Sequence, residues 1–357
     1  MTALLTLLAS AALAKPVLVE FTAPWCYSCY YMEKKVLSQP AFLKASEAFE
    51  RRKMDIDTPE GAAMKAKLAA VFTPTYVLLD KEGGKELGRI VGEQTEEEFH
   101  AKLKALLGGG RTSDADSEAL LKRIGAGDLA ALRKTLADPS DCRLPYYVSK
   151  GQGPASKLPA AEARALLQEE RAALEKLASS KLFGPAAARC ADFRSGVMTL
   201  AEVQEKLDDA SARDGLLDRA IAQLRKEHPK VGEDRNADDD LRAMLAARGD
   251  HEGLRRHFEA LIAAYPLDYV YSLRWAKVLL ERGKAEEALG WVEKADKLSY
   301  GANRLDVTVA RAKVLAALGR REEGLALIKR DLGAAKSRFP DRAAAMEKAL
   351  ADLSKDS

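Results

Sequence analysis

The stretch Pro16-Val17-Leu18-Val19-Glu20-Phe21-Thr22-Ala23-Pro24-Trp25-Cys26-Tyr27-Ser28-Cys29 decides the fold of the N-terminal region. Val17 to Phe21 is a short apolar run with β-branched residues, which reads as a buried strand. One carboxylate, Glu20, interrupts it, and a charge inside a buried strand is costly unless something pairs with it or uses it. Helical patterning follows Cys29, so the two cysteines sit at a strand-to-helix turn, three residues apart. They can close a small disulfide there. Cys26 falls at the first helical turn, where free backbone N–H groups and the helix dipole favour a thiolate. Cys29, one turn in and more shielded, is placed to attack a mixed disulfide formed on Cys26. By spacing alone the pair also suits half a zinc site or a structural bridge. Zinc needs two further ligands, and His100, His228, His251 and His257 show no partner spacing. No metal and no cofactor is expected.

Working outward, Lys53 to Ile56 is a strand candidate and Pro59 to Ala70 a helix capped by Thr58. Thr75 to Leu79 is a strand, and Gly83-Gly84 turns the chain into another, Glu86 to Val91. Thr95 caps a last helix carrying Phe99, Leu103, Leu106 and Leu107 on one face. With a helix expected from about Ala41 to Phe49, the order is βαβαββα, a mixed α/β domain ending in a hairpin.

The remainder reads as helical. Gly108-Gly109-Gly110 and the polar residues after it form a linker. Glu162 to Ala178 and Leu200 to Leu224 show continuous helical periodicity, and Pro139 to Pro159 reads as an irregular interruption. Gly249, Gly283 and Gly319 lie 34 and then 36 residues apart, each between two amphipathic helices. Phe258, Val292 and Ile328 each follow a glycine by nine residues. Ala288 and Ala295 suit small packing positions. This pattern resembles the tetratricopeptide repeat, in which a helix, a glycine turn and a second helix recur about every 34 residues. The expected organisation is a signal peptide over residues 1–14, the α/β domain over 15–107, a linker over 108–116, an irregular helical domain over 117–237 and TPR-like repeats over 238–357.

Ala3 to Ala14 supports the first of these. It is apolar throughout and ends in Ala12-Leu13-Ala14, a small-residue cleavage site with scission before Lys15. No Lys or Arg precedes it, so a packed first helix is the competing reading. Cleavage implies export, periplasmic or otherwise; an uncleaved N-terminus implies a cytoplasmic protein. The formal net charge of +3 and the absence of any Lys/Arg run beyond three residues argue against a nucleic-acid partner. No apolar stretch reaches the roughly 20 residues that span a bilayer.

The motifs from Pro16 to Cys29 resemble the active-site strand and turn of the thioredoxin superfamily, and others follow in family order. Glu20 matches the buried acid that relays protons for the deeper cysteine, where Asp is commoner. Lys53 matches a lysine beside that acid, Thr73-Pro74-Thr75 the cis-proline loop, and Gly92 the glycine before the last helix. Lys15-Pro16-Val17, Glu33 and Gln39-Pro40 are similar to a branch that includes the periplasmic C-terminal domain of the thiol:disulfide interchange protein DsbD. In that branch a second acid lies near the cysteines, which Glu33 fits. The resemblance implies catalysis by Cys26, Cys29 and Glu20. It also implies substrate contact through Trp25, Tyr27, Thr73 and Pro74, and support from Glu33 and Lys53.

The remaining cysteines, Cys142 and Cys190, lie 48 residues apart. In an exported protein they are expected to form a structural disulfide, worth roughly 3–4 kcal/mol of loop entropy. Free buried thiols and a second redox pair are the alternatives. The functional expectation is an exported protein-disulfide reductase or electron relay, with disulfide-containing or dithiol proteins as partners and the repeats docking a partner on a concave surface. The competing expectation is a binding scaffold in which the α/β domain is an accessory.

Overall fold

A computed structural model describes residues 15–112, 114–185 and 188–355. The expected signal peptide lies outside the described residues. The N-terminal part is a four-stranded sheet in the order β2-β1-β3-β4. β1 (Val17–Thr22) runs parallel to β2 (Glu50–Asp55) and antiparallel to β3 (Thr75–Leu79), which pairs antiparallel with β4 (Glu86–Val91). Strand alternation divides the core. Leu18, Tyr76, Leu78 and Ile90 face Met32, Phe42, Phe99 and Leu103, from the helices α1 (Tyr27–Met32), α2 (Pro40–Ala45) and α4 (Glu96–Leu107). Val17, Val19, Phe21 and Val77 face Met54, Ile56 and the cysteine pair on the other side. The capping box at Thr95 and Glu98 starts α4, and Thr58 caps α3 (Pro59–Lys67). The helix expected from Ala41 to Phe49 is shorter: α2 passes into a 3₁₀ turn over Ser46–Ala48.

The chain after α4 is all-helical among the described residues. Its helices are α5 (Asp114–Gly125), α6 (Leu129–Leu136), α7 (Leu144–Ala155), α8 (Ala160–Leu177), α9 (Phe193–Lys206) and α10 (Ala210–Glu227). Then come α11 (Arg235–Arg248), α12 (His251–Ala264), α13 (Tyr269–Glu281), α14 (Ala285–Leu298), α15 (Gly301–Ala317), α16 (Arg321–Arg338) and α17 (Pro340–Lys355). Gly249, Gly283 and Gly319 take φ of 72°, 71° and 77°. At each, the glycine N–H and the next N–H bond back to carbonyls of the preceding helix: Gly283 to Leu280 and Lys284 to Leu279, for example. This is the left-handed helix stop that glycine makes cheap.

Two readings of the helical region need correcting. Leu200 to Leu224 is not one helix. The chain turns at Asp208, with φ 62°, and its N–H and that of Asp209 make the same pair of bonds, to Glu205 and Gln204. Asp tolerates the left-handed region better than most residues, and Asp209 then caps α10, so the stop carried no glycine to betray it. Pro139 to Pro159 is not wholly irregular either, because α7 lies within it. Pro145 falls in the first turn of α7, where no donor is missed, and Pro154 falls at its end. One apolar core runs from Ile124 to Val314, and Trp25 of the α/β domain packs against it.

The linker is pinned. Asp114 at the start of α5 pairs with Lys102 at 2.7 Å, and Thr112 donates to the Arg89 carbonyl. The helices also reach the α/β domain repeatedly, through α9, α11, α13, α15 and α17. One close approach is at Gly301, where a Cβ would lie 2.0 Å from the Asp57 carbonyl oxygen. That oxygen instead accepts the Ala302 N–H at 2.7 Å.

Candidate active site

Cys26 is the N-cap of α1 and is disulfide-bonded to Cys29, with Cα atoms 5.3 Å apart. The Cys29 N–H points at Cys26 Sγ, 3.1 Å away. The first turn of α1 therefore presents a donor to the sulfur that would carry charge after reduction. Both cysteines are buried. The Thr73–Pro74 bond is cis, and the Pro74 carbonyl accepts the Gly92 N–H, which joins that loop to the end of β4.

Glu20 is 2% exposed. Burial raises its pKa, and Arg51 opposes the rise with Nε and Nη2 donating to Oε2 at 2.9 and 2.7 Å. The same Arg51 donates to Glu33 at 2.9 Å, so one guanidinium holds both acids. Lys53 donates to Glu33 at 3.2 Å. Burial raises the Glu33 pKa, but Arg51 and Lys53 outweigh it and hold the carboxyl below its usual range. Arg51 escaped the sequence reading. The signal for it was its i, i+2 spacing from Lys53, which puts both on one face of β2.

Trp25 donates from its indole nitrogen to Asp57 at 2.9 Å. Burial and Asp55 push Asp57 up to about 6, against the pull of Arg342 and the Trp25 hydrogen bond. The carbonyls on either side of Cys26 are also taken. Trp25 O accepts from Arg274 of α13 at 3.2 Å, and Tyr27 O accepts from Asn236 of α11 at 3.2 Å. The Arg194 guanidinium of α9 lies 3.7 Å above the Tyr27 ring, and Arg235 of α11 lies 4.2 Å above Tyr30. Arg194 is held in turn by Asp239 and Asp240, each at 2.8 Å. None of these helical residues was legible as part of the site. They lie 165 or more positions from the cysteines in sequence, and only the packing of the helices brings them there.

Glu93, after Gly92, was also missed. Its carboxyl lies beside Ser28, between the cysteines, and its Oε2 is buried without a partner. Burial, with Asp192 and Asp240 nearby, pushes its pKa well up. A cavity of about 330 Å³ lies over Cys26. Trp25, Tyr27, Thr73 and Gly92 line it from one side, Leu121, Tyr146, Arg194 and Arg274 from the other. Thr73, Trp25 and Tyr27 thus share a wall with Cys26. Away from this site, Cys142 and Cys190 are bonded, with Cα atoms 5.4 Å apart, and tie the turn before α7 to the loop before α9.

A family model described as a thioredoxin-like domain matches residues 7–107. The N-terminal domain is thioredoxin-like. The thioredoxin-like domain is 29% identical over 103 residues to the thiol:disulfide interchange protein DsbD of Ralstonia nicotianae, covering 28% of this chain and 17% of that one. It is 32% identical over 101 residues to DsbD of Pectobacterium atrosepticum, covering 27% of this chain and 18% of that one. The chain thus matches less than a fifth of the length of these relatives. Among solved structures, a thioredoxin from Thermus thermophilus is 33% identical, covering 25% of this chain and 72% of its own, with a TM-score of 0.24. A structure of MamA MSR-1 is 19% identical, covering 58% of this chain and 98% of its own, with a TM-score of 0.31. Among the described residues, no helix is long and apolar enough to cross a membrane.

Proposed function

We propose that this protein is a thiol–disulfide oxidoreductase working in the reducing direction through Cys26 and Cys29. The observation that carries the reading is the Cys26–Cys29 disulfide at the start of α1, with the Cys29 N–H on Cys26 Sγ. In the dithiol form, the Cys26 thiolate attacks one sulfur of a substrate disulfide and expels the other as a thiolate. Cys29 then loses its proton and attacks Cys26 Sγ, which releases the second substrate thiolate. Two electrons pass to the substrate, and the Cys26–Cys29 bond re-forms. Glu20 takes the Cys29 proton, with Arg51 setting how readily it does so and Glu33 and Lys53 adjusting Arg51. Trp25, Tyr27, Thr73 and Pro74 position the substrate sulfur.

The likeness to DsbD supports the reducing direction, and Ala3 to Ala14 supports export to the periplasm. The helical hairpins, TPR-like in their glycine spacing, act first on the chain's own redox domain: they fasten the segment around Cys26. A protein disulfide reaches Cys26 Sγ only where these helices give way. Disulfide reduction by wild type and by Cys26→Ser tests the activity, and equal rates would sink it. Thiol trapping in cells tests direction, since a pair found mostly oxidised contradicts a reductase. N-terminal sequencing of envelope protein tests export, with an intact Met1 counting against cleavage.

A further inference from the structure

We infer, resting on the oxidoreductase reading, that the substrate admitted to the Cys26–Cys29 pair is a low-molecular-weight disulfide and not the disulfide of a folded protein. Four helices overhang Cys26. Leu121, Tyr146, Arg194 and Arg274 come from α5, α7, α9 and α13, and with Trp25 and Thr73 they line a half-open cleft of about 330 Å³. That volume is at the small end of small-molecule pockets, which run from about 300 to 1,000 Å³. A folded protein presents its disulfide on a surface that cannot enter such a space.

The roof is fastened where a protein substrate would have to lie. Arg274 bonds the Trp25 carbonyl, Asn236 bonds the Tyr27 carbonyl, and Arg194 covers the Tyr27 ring. Arg274 and Arg194 are both anchored on Asp239, which is 1% exposed. Lifting the roof for a large substrate therefore breaks a linked set of contacts and not a single one. Burial raises the Asp239 pKa, but the attraction of Arg274, Arg242 and Arg194 outweighs it and holds the carboxyl far below its usual range, so the anchor stays charged. The lining of the cleft is largely aromatic and aliphatic: Trp25, Phe72, Val91, Leu121 and Tyr146. It suits the organic arms of a small disulfide. The exchange is the one written above, with two small thiols as products and the Cys26–Cys29 dithiol as the electron source.

The test uses the full chain. The protein is reduced with excess dithiothreitol and freed of it by gel filtration. It is then mixed with 2-hydroxyethyl disulfide or with insulin at equal disulfide concentration. Alkylation and mass spectrometry follow the re-forming Cys26–Cys29 bond. Because exchange depends on access, 2-hydroxyethyl disulfide is expected to oxidise the pair at least about tenfold faster than insulin. Leu121→Trp, which fills the cavity, is expected to slow the small disulfide by about tenfold while the thermal melt shows a folded protein. Insulin reacting as fast as the small disulfide overturns the substrate class and leaves the oxidoreductase reading intact. A demonstrably reduced pair that neither oxidant touches overturns both.

Discussion

The two disulfides close loops on opposite terms. Cys26–Cys29 spans three residues at a helix start, and Cys142–Cys190 spans 48 and joins two helical segments. In the chain-entropy account, a bridge restrains the unfolded chain by an amount that grows with the loop, about 2 kcal/mol for the short one and about 4 for the long one. The short bridge adds about half as much as the long one, so opening it costs the fold less. It also has a helix donor on one sulfur and a cavity beside it. The long bridge ties the turn before α7 to the loop before α9. A pair that must open and close belongs where its loss is tolerated, and a pair that holds distant segments belongs where its loss is costly.

Four experiments can break or sharpen that contrast. The largest expected effect is on exchange rate: Cys26→Ser loses at least about a thousandfold, because the attacking thiolate is gone. The Cys142→Ser/Cys190→Ser protein stays within about twofold, as the same trapping assay would show. A large loss in the second protein would mean that the distant pair takes part in chemistry.

Stability comes next. Urea unfolding of the Cys142→Ser/Cys190→Ser protein is expected to show a loss of about 4 kcal/mol, against about 2 for reduction of Cys26–Cys29 alone. The reverse order would undo the division of labour.

The third concerns the acids on either side of the contrast. Glu20→Gln is expected to slow the resolving step by about a hundredfold, the usual scale for one positioned proton acceptor. The base works ionised and its pKa is raised, so the wild-type rate falls as pH drops through that pKa. Stopped-flow profiles of the Gln variant lose this acid limb.

The smallest effect is in the helical region, where Glu170 is fully buried and donates nothing to the redox site. Its Oε2 accepts from Gln152 at 2.8 Å, and its Oε1 has no partner. Burial pushes its pKa up to about 7. The folded state therefore binds this proton more tightly than the unfolded chain. The stability it contributes is full below about pH 4 and is lost as pH rises through about 7. Glu170→Gln is expected to gain about 2 kcal/mol over wild type at pH 8 relative to pH 4, measured by denaturant melts.

The α/β domain was largely legible because its signals are local. An apolar strand, a C-x-x-C turn, a Thr cap with Glu three residues on, and paired glycines each act within a few residues. In the helical region the glycine stops at Gly249, Gly283 and Gly319 were legible for the same reason. The stop at Asp208 was not, because its left-handed residue has a side chain and the hydrophobic period runs on through it. Lys53 was read as the neighbour of Glu20, while the closer partner is Arg51 one alternation earlier on the strand. Sequence spacing gives the face of a strand but does not say which long side chain reaches the acid.

By itself the sequence determined that Cys26 and Cys29 lie together at a helix start beside a buried acid, and that helical hairpins follow. Those are consequences of backbone geometry over short spans. Only the tertiary structure decided that Arg194, Asn236 and Arg274 come down on the residues flanking Cys26. Their placement depends on how successive helices stack into one core from Ile124 to Val314. A periodic pattern says that each helix has a buried face, but not what its ends will meet. That stacking leaves a small, half-open cleft beside the cysteines, walled on one side by helices.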